Sequence, residues 1–409
     1  MSWVNHLRNE LMCPTSGVHF SPSMLGYIYQ IRFALYLSLK KLSDLADPEQ
    51  FNVSIEKLDD IAFDNNGSPE ELLQTKFHGN EGNLTDRSPD IWKTIRIWVE
   101  SIKSGEITLG NVILSLVTTQ AVAEDSLASL LGVGPTRDIE EAQKVMSGIC
   151  KESNQTNEKG YQAFKSLSVA ERNSLLSAIY VIGKSEDLLK IRENMKPIAR
   201  QSVPVQAVDA FLDRVEGSWF KWVVEALSKT PSGVINLGVL QELVENIRPD
   251  YALTNLPAEY VDALPDAMDV DNDMRLFVMQ MHLFKAPKKL IELAITNYYR
   301  AFEQRNKWAG DGLLNPGEIS RFDRKLFEKW SEQQAFMEIQ ESLNTEEAKR
   351  AYSAKLYQYC QQQGVVPIRP DFVEEYLSKG SYHVLSDNLS IGWHPDYKQL
   401  GDAKNEDVA

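Results

Sequence analysis

Glu56, Asp60, Gln74 and Lys76 are the side chains whose types and spacing fit hydrolytic chemistry on a phosphodiester. A metal-dependent phosphodiesterase needs an acid near a strand end, then a carboxylate or amide on the next strand and, two residues on, a lysine. The acids and the Gln74 carbonyl would bind Mg²⁺ or Mn²⁺, hard cations that prefer oxygen ligands. Such a metal polarises the phosphate and helps generate hydroxide from bound water. Lys76 would orient that water or neutralise charge developing on the phosphorane. Asp59, beside Asp60, is a further candidate. The same residues also describe a plain hairpin, because charges alternating with apolar side chains mark a solvated strand face and Asp59-Asp60 with Glu70-Glu71 would then only solubilise it.

The elements that must position these residues are legible around them. Two apolar segments, Val53 to Phe63 and Glu71 to Phe77, flank Asp64-Asn65-Asn66-Gly67-Ser68-Pro69, whose composition is that of a tight turn, so a β-hairpin is expected. Alternation along strands would let Glu56, Leu58 and Asp60 share one face, as would Gln74 and Lys76 on the returning strand, so that four polar groups converge. Before the hairpin, Leu25, Ile28, Ile31, Leu35, Leu39 and Leu42 recur at helical spacing over Met24 to Leu42. After it come a helix, about Pro89 to Ser104, and an apolar strand, Asn111 to Thr118. Arg87, Lys93 and Arg96 lie at or near the start of that helix, where they face either a phosphate backbone or only solvent between the buried Trp92, Ile95 and Trp98.

Helix, three strand segments, helix and strand is the core order of the PD-(D/E)xK nucleases. Gly26-Tyr27-Ile28-Tyr29-Gln30, Glu56-Lys57-Leu58-Asp59-Asp60-Ile61 and Gln74-Thr75-Lys76 are similar to the nuclease domain of the CD-NTase-associated endonucleases of bacterial anti-phage systems. The resemblance implies that Asp60 is the metal-binding acid and Lys76 the motif lysine, with Gln74 in place of the usual acid of the third strand. Glu56 and Gln30 match further motif positions. Gln74 departs from the pattern by removing one negative charge from the metal site. The expected fold is therefore an α/β, restriction-endonuclease-like core followed by a mostly α-helical C-terminal region.

A chain of 409 residues is too long for one ordinary core. The expected division is a nuclease domain with helical insertions over 1–200, a helical linker region over 201–268 and a helical C-terminal domain over 269–409. The segment Ser2 to Ser23 reads as a short helix leading into a loop. Asp138 to Lys229 reads as helical throughout, with Ser168 and Glu171 as a capping-box pair. The aromatic cluster Trp219, Phe220 and Trp222 reads as core, and Pro231 to Asp269, with Pro249, Pro257 and Pro265, reads as irregular. His383 and His394 have no Cys or His partner at ligand spacing, so a packed turn around Gly392-Trp393-His394-Pro395 is expected.

Asp273 to Met281, Ile291 to Ala301, Gly380 to Ser386 and Ile391 to Tyr397 resemble the C-terminal domain of effector subunits in ABC-three-component defence systems. With a nuclease in front, the whole chain resembles the nuclease subunit of a Lamassu system. That resemblance implies an SMC-like ATPase and a small third subunit as partners, and a homo-oligomer, a tetramer, as the active form acting on double-stranded DNA.

The net charge is −15. Residues 1–200 contribute −5, from 21 Lys/Arg against 26 Asp/Glu, and the rest −10. Constitutive tight DNA binding, which calls for a basic surface, is disfavoured; control by a partner is the more natural expectation. Cys13, Cys150 and Cys360 are odd in number and far apart, as for free thiols in a reducing compartment. No apolar run approaches the ~18 residues of a membrane span, and the N-terminus lacks a signal-peptide core, so the expected location is cytoplasmic, with no membrane partner. Two other functions fit: a non-catalytic subunit that only grips DNA or a partner, and a stand-alone restriction-type nuclease.

Overall fold

The computed structural model describes residues 22–78, 82–185, 188–229, 233–340 and 343–400, so the segment read as a leading helix, Ser2 to Ser23, lies almost wholly outside the described residues. Two compact units divide the chain: Met1–Gln201 with Leu212–Glu245, and Ser202–Phe211 with Asn246–Ala409. The first is mixed α/β around a central sheet and the second is almost entirely helical.

The first unit opens with α1 (Pro22–Leu42), then β1 (Phe51–Ile55), β2 (Ile61–Asn65) and β3 (Ser68–Lys76). The segment Val53 to Phe63, read from sequence as one strand, is two, reversing over Glu56–Asp60. The turn between β2 and β3 is tighter than composition suggested. Only Asn66 and Gly67 lie outside the strands, with φ of 49° and 83°, the paired positive values that match the twist of a two-residue hairpin. Asp64 Oδ1 accepts the Gly67 N–H at 2.8 Å and fixes that turn.

From β3 the chain passes the short β4 (Asn83–Leu84) into α2 (Pro89–Ser104) and returns as β5 (Ile113–Thr118), parallel to β3. Ser88 caps α2, Pro89 stands in its first turn and Gly105 ends it at φ 83°, the expected asymmetry of start and stop residues. Ile91, Trp92, Ile95, Trp98 and Val99 recur at helical spacing and pack on a sheet face carrying Leu72, Leu114 and Leu116. Since Leu72, Gln74 and Lys76 alternate along β3, Gln74 and Lys76 share the face that α2 covers.

Next come β6 (Ala121–Val122), α3 (Leu127–Leu130), α4 (Ile139–Ile149), α5 (Glu158–Lys165), α6 (Val169–Ala178) and β7 (Ile179–Ile182), then α7 (Leu188–Ala199), α8 (Val208–Leu227), β8 (Ile235–Asn236) and α9 (Leu237–Ile247). The sheet order is β7-β5-β3-β2-β1-β8. Two expectations are corrected here. Asp138 to Lys229 is not helical throughout, because Ile179-Tyr180-Val181-Ile182, rich in β-branched residues, pairs with β5 as β7. The start of Pro231 to Asp269 is not irregular but holds β8 and α9. The capping box does form, with Ser168 and Glu171 bonding each other's backbone.

Trp219 is core, its Nε1 donating to Ile31 O at 2.9 Å. Phe220 is 54% exposed, since adjacent helical residues point about 100° apart and cannot share one core face. At α5 the packing leaves no room for a Cβ: one built on Gly160 would lie 2.5 Å from Trp92 O.

The second unit holds α10 (Leu276–Leu283), α11 (Lys288–Gly310), α12 (Glu318–Gln340), α13 (Glu346–Gln362) and α14 (Tyr376–Asp387). Trp308, Tyr352, Tyr382 and Trp393 are fully buried in it. A buried pair, Arg369 with Glu318, is bidentate at 2.7 and 2.9 Å. His383 is inside α14 among Phe277, Tyr357 and Trp393, and His394 is buried beside Asp396. Cys150 and Cys360 are free and buried; Cys13 lies outside the described residues. Among the described residues no helix is long and apolar enough to cross a membrane.

Candidate active site

The loop Glu56–Asp60 closes on itself, the Glu56 N–H donating to the Asp60 carbonyl at 3.2 Å. Glu56, Leu58 and Asp60 are therefore not strand neighbours sharing a face; chain reversal, rather than alternation, brings the two acids together. Glu56 has a φ of 55°, a left-handed conformation that costs a non-glycine residue about 1–3 kcal/mol and persists only where its surroundings fix it. At the other end, Asp60 Oδ2 accepts from Thr75 N at 2.7 Å and from Thr75 Oγ1 at 2.9 Å. Pairing of β2 with β3 begins at Ile61 opposite Leu73. Beyond it the Asp60 carboxylate takes the backbone N–H that a longer strand would have taken, which anchors one of its oxygens to β3 next to Gln74 and Lys76.

Asp59 is buried, with Oδ2 accepting Trp98 Nε1–H at 2.7 Å and Oδ1 accepting Asp60 N–H at 3.0 Å. Burial pushes its pKa up to about 6, and the Asp60 charge adds to this against the two hydrogen bonds and the Lys76 charge. Glu56 is also raised, by desolvation of its carboxyl and then by Asp60, while a hydrogen bond from Gln30 and the Lys76 charge oppose the shift. These influences place Gln30, Glu56, Asp59, Asp60 and Lys76 in one neighbourhood, three carboxylates around one lysine. Gln74 is buried on the same β3 face as Lys76.

The residues fit a hard divalent cation. No three His, Cys, Asp or Glu side chains among the described residues are grouped to hold a metal ion, so the donor set here is mixed. It would comprise the Glu56 and Asp60 carboxylates with amide oxygens. Gln30 Oε1 is buried without a hydrogen-bond partner among the described residues. An orphaned oxygen beside desolvated carboxylates lacks positive charge, and oxygen donors are what Mg²⁺ or Mn²⁺ takes.

Two of the three basic candidates are held in ion pairs. Arg87 forms an ion pair with Glu152 at 2.5 Å and Arg96 one with Glu100 at 3.8 Å, while Lys93 is exposed on α2. Reasoning from sequence missed three partners. Thr75 holds Asp60, Trp98 holds Asp59, and His78 Nε2 pairs with Asp90 Oδ2 at 2.8 Å. Thr75 and His78 could have been noticed as neighbours of the lysine; the Trp98 contact crosses 39 positions and leaves no local signal.

Residues 277–401 match the family described as C-terminal domain 7 of the ABC-three component (ABC-3C) systems. Comparison with curated proteins found no match. Among solved structures the chain is similar to the Cap4 SAVED/CARF-domain containing receptor of Acinetobacter baumannii, at 14% identity and a TM-score of 0.30, over 55% of this chain and 48% of that one. The same receptor with the cyclic trinucleotide 2'3'3'-cAAA matches at 13% identity and 0.30, over 58% and 48%. A likeness at this score fixes neither fold nor activity, and the chain spans about half the length of these receptors. The helices from α10 onward, by contrast, fall within a recognised domain family, C-terminal domain 7 of the ABC-three component systems.

Proposed function

We propose that the first unit is a divalent-cation-dependent DNA endonuclease, and that the chain is the nuclease effector of its system, of the Lamassu type. The gathering of Glu56, Asp59, Asp60 and Gln30 around Lys76 at one end of the sheet carries this reading. Glu56, Asp60 and Gln74 would hold Mg²⁺ or Mn²⁺, and Asp60 is kept in place through Thr75. The cation, when bound, polarises the scissile phosphate and lowers the pKa of water beside it. Lys76 supplies positive charge where the phosphorane becomes more negative. One such site cuts one strand, so cleavage of a duplex calls for paired sites. The cleaving form in this reading is a homo-oligomer, a tetramer, released from an SMC-like ATPase and a small third subunit that otherwise hold it inactive.

The test is plasmid cleavage by the full chain, with and without its partners, in Mg²⁺ and in excess EDTA. Lys76→Ala should lower the rate by about a hundredfold or more and EDTA should abolish it. Undiminished cleavage in either case overturns the mechanism. Gln74, standing where a third acid would strengthen cation binding, favours a second reading, a subunit that grips DNA without cutting. Duplex binding with no metal-dependent nicking under any partner condition would establish that one.

A further inference from the structure

His78 lies two residues beyond Lys76, past the end of β3, and hydrogen bonds to Thr119 tie both residues to the chain just after β5. Thr119 N donates to Lys76 O at 3.3 Å, His78 N donates to Thr119 Oγ1 at 2.9 Å, and Thr119 Oγ1 donates to His78 O at 3.1 Å. Its hydrogen bond to Asp90 of α2, the helix that covers the Gln74 and Lys76 face, places His78 beyond Lys76 on that side of the sheet. Its ring is anchored. Nε2 is 2.8 Å from Asp90 Oδ2 in the first turn of α2, and both side chains are partly open to solvent, 35% and 23%. A carboxylate only accepts, so the proton between them belongs to Nε2. Nδ1 has no hydrogen-bond partner among the described residues. The same turn of α2 leads to Lys93, one helical step after Asp90 and exposed.

We propose that His78 is a DNA-contacting residue of this site, its ring held by Asp90 so that Nδ1 meets the backbone phosphate next to the one at Lys76, with Lys93 further along the same track. The inference rests on the nuclease reading above and adds to it the residue that sets the path of the strand out of the site. A phosphate oxygen only accepts, so the contact requires a proton on Nδ1 as well as on Nε2, the ring then donating at both nitrogens. A histidine pinned by a carboxylate offers one directed donor with little side-chain entropy left to lose, which suits positioning a strand better than a free lysine does.

The experiment measures binding of a short duplex by the full chain, carrying Lys76→Ala to stop cutting, in Mg²⁺ over a range of salt. Adding His78→Gln, which can still donate to Asp90, should weaken binding roughly tenfold and flatten the salt dependence by about one phosphate contact. Adding His78→Arg instead should restore both. Asp90→Asn, which leaves the imidazole but loosens it, should fall between. Unchanged affinity and slope in His78→Gln, or no recovery in His78→Arg, overturns the assignment while leaving the nuclease reading intact. If Lys76→Ala alone binds no duplex, with or without partner subunits, the nuclease reading fails and this inference with it.

Discussion

Replacing Asp59 with asparagine should stabilise the first unit while impairing the site. Asp59 has a pKa of about 6 against an ordinary value of 3.8, so the folded state holds its proton more tightly than the unfolded chain does. For a group raised in this way, the stabilising term is full below the unfolded pKa and is lost as pH rises through the folded one. Stability should therefore fall between about pH 4 and pH 6 and then level off. Two units at about 1.4 kcal/mol each set an upper figure of about 3 kcal/mol for the ionised group. Asparagine carries no charge but keeps one acceptor where aspartate has two, and both oxygens of Asp59 accept, from Trp98 and from Asp60 N. The lost acceptor costs about 1 kcal/mol, leaving Asp59→Asn more stable by about 1–2 kcal/mol at pH 8 and equal or less stable at pH 4. The assay is urea unfolding in chelator at several pH values, read by proteolysis of the first unit. A wild-type loss of stability relieved by Mg²⁺ would further tie the charge crowding to cation binding. A stability difference that does not change with pH refutes the reasoning.

Arg369→Met should cost about 3–5 kcal/mol, because it strands the Glu318 carboxylate in a buried site, and adding Glu318→Gln should recover much of it in thermal unfolding. His383, whose pKa burial and the Arg275 charge depress to about 3, stays neutral in the fold. The second unit should lose up to about 1.4 kcal/mol per pH unit as pH falls below about 6.5, and His383→Leu should remove that dependence in acid titrations followed by circular dichroism. Gly160→Ala should lower the melting temperature by several degrees, since its Cβ would meet backbone, Trp92 O, rather than a side chain able to move.

How far the sequence carried the fold varied with the range of the interactions that decide it. The helices α1 and α2, the turn at Asn66-Gly67 and the crossover to β5 rest on local spacing, caps and turn residues, and all were readable. β7 was hidden because its four residues follow a capped helix with no glycine or proline between, and only pairing with β5 makes them a strand. At the site, residue types and order suggested Glu56, Asp60, Gln74 and Lys76 but not how they meet. The reversal at Glu56–Asp60 depends on a left-handed glutamate, which no composition rule favours. The ties of Asp59 to Trp98 and of His78 to Asp90 depend on where α2 lands on the sheet.

The site holds its acids at a cost to the fold. Glu56 is in a disfavoured backbone region, Asp59 is ionised only against burial, and Glu56, Asp59 and Asp60 share a single nearby lysine. A preorganised cation site of the kind proposed above would have these properties: the repulsion is present before a cation arrives, and binding would relieve it. The same crowding works against DNA, because a phosphate approaching an unneutralised cluster of carboxylates meets like charge, and the chain's overall −15 offers no compensating attraction at long range. Cation and DNA binding should therefore reinforce each other. Arg87 and Arg96 are already in ion pairs, and a chain so acidic overall would meet free DNA weakly, so in the proposed reading partner subunits, or further copies of this chain, would be the natural means of bringing the site to DNA.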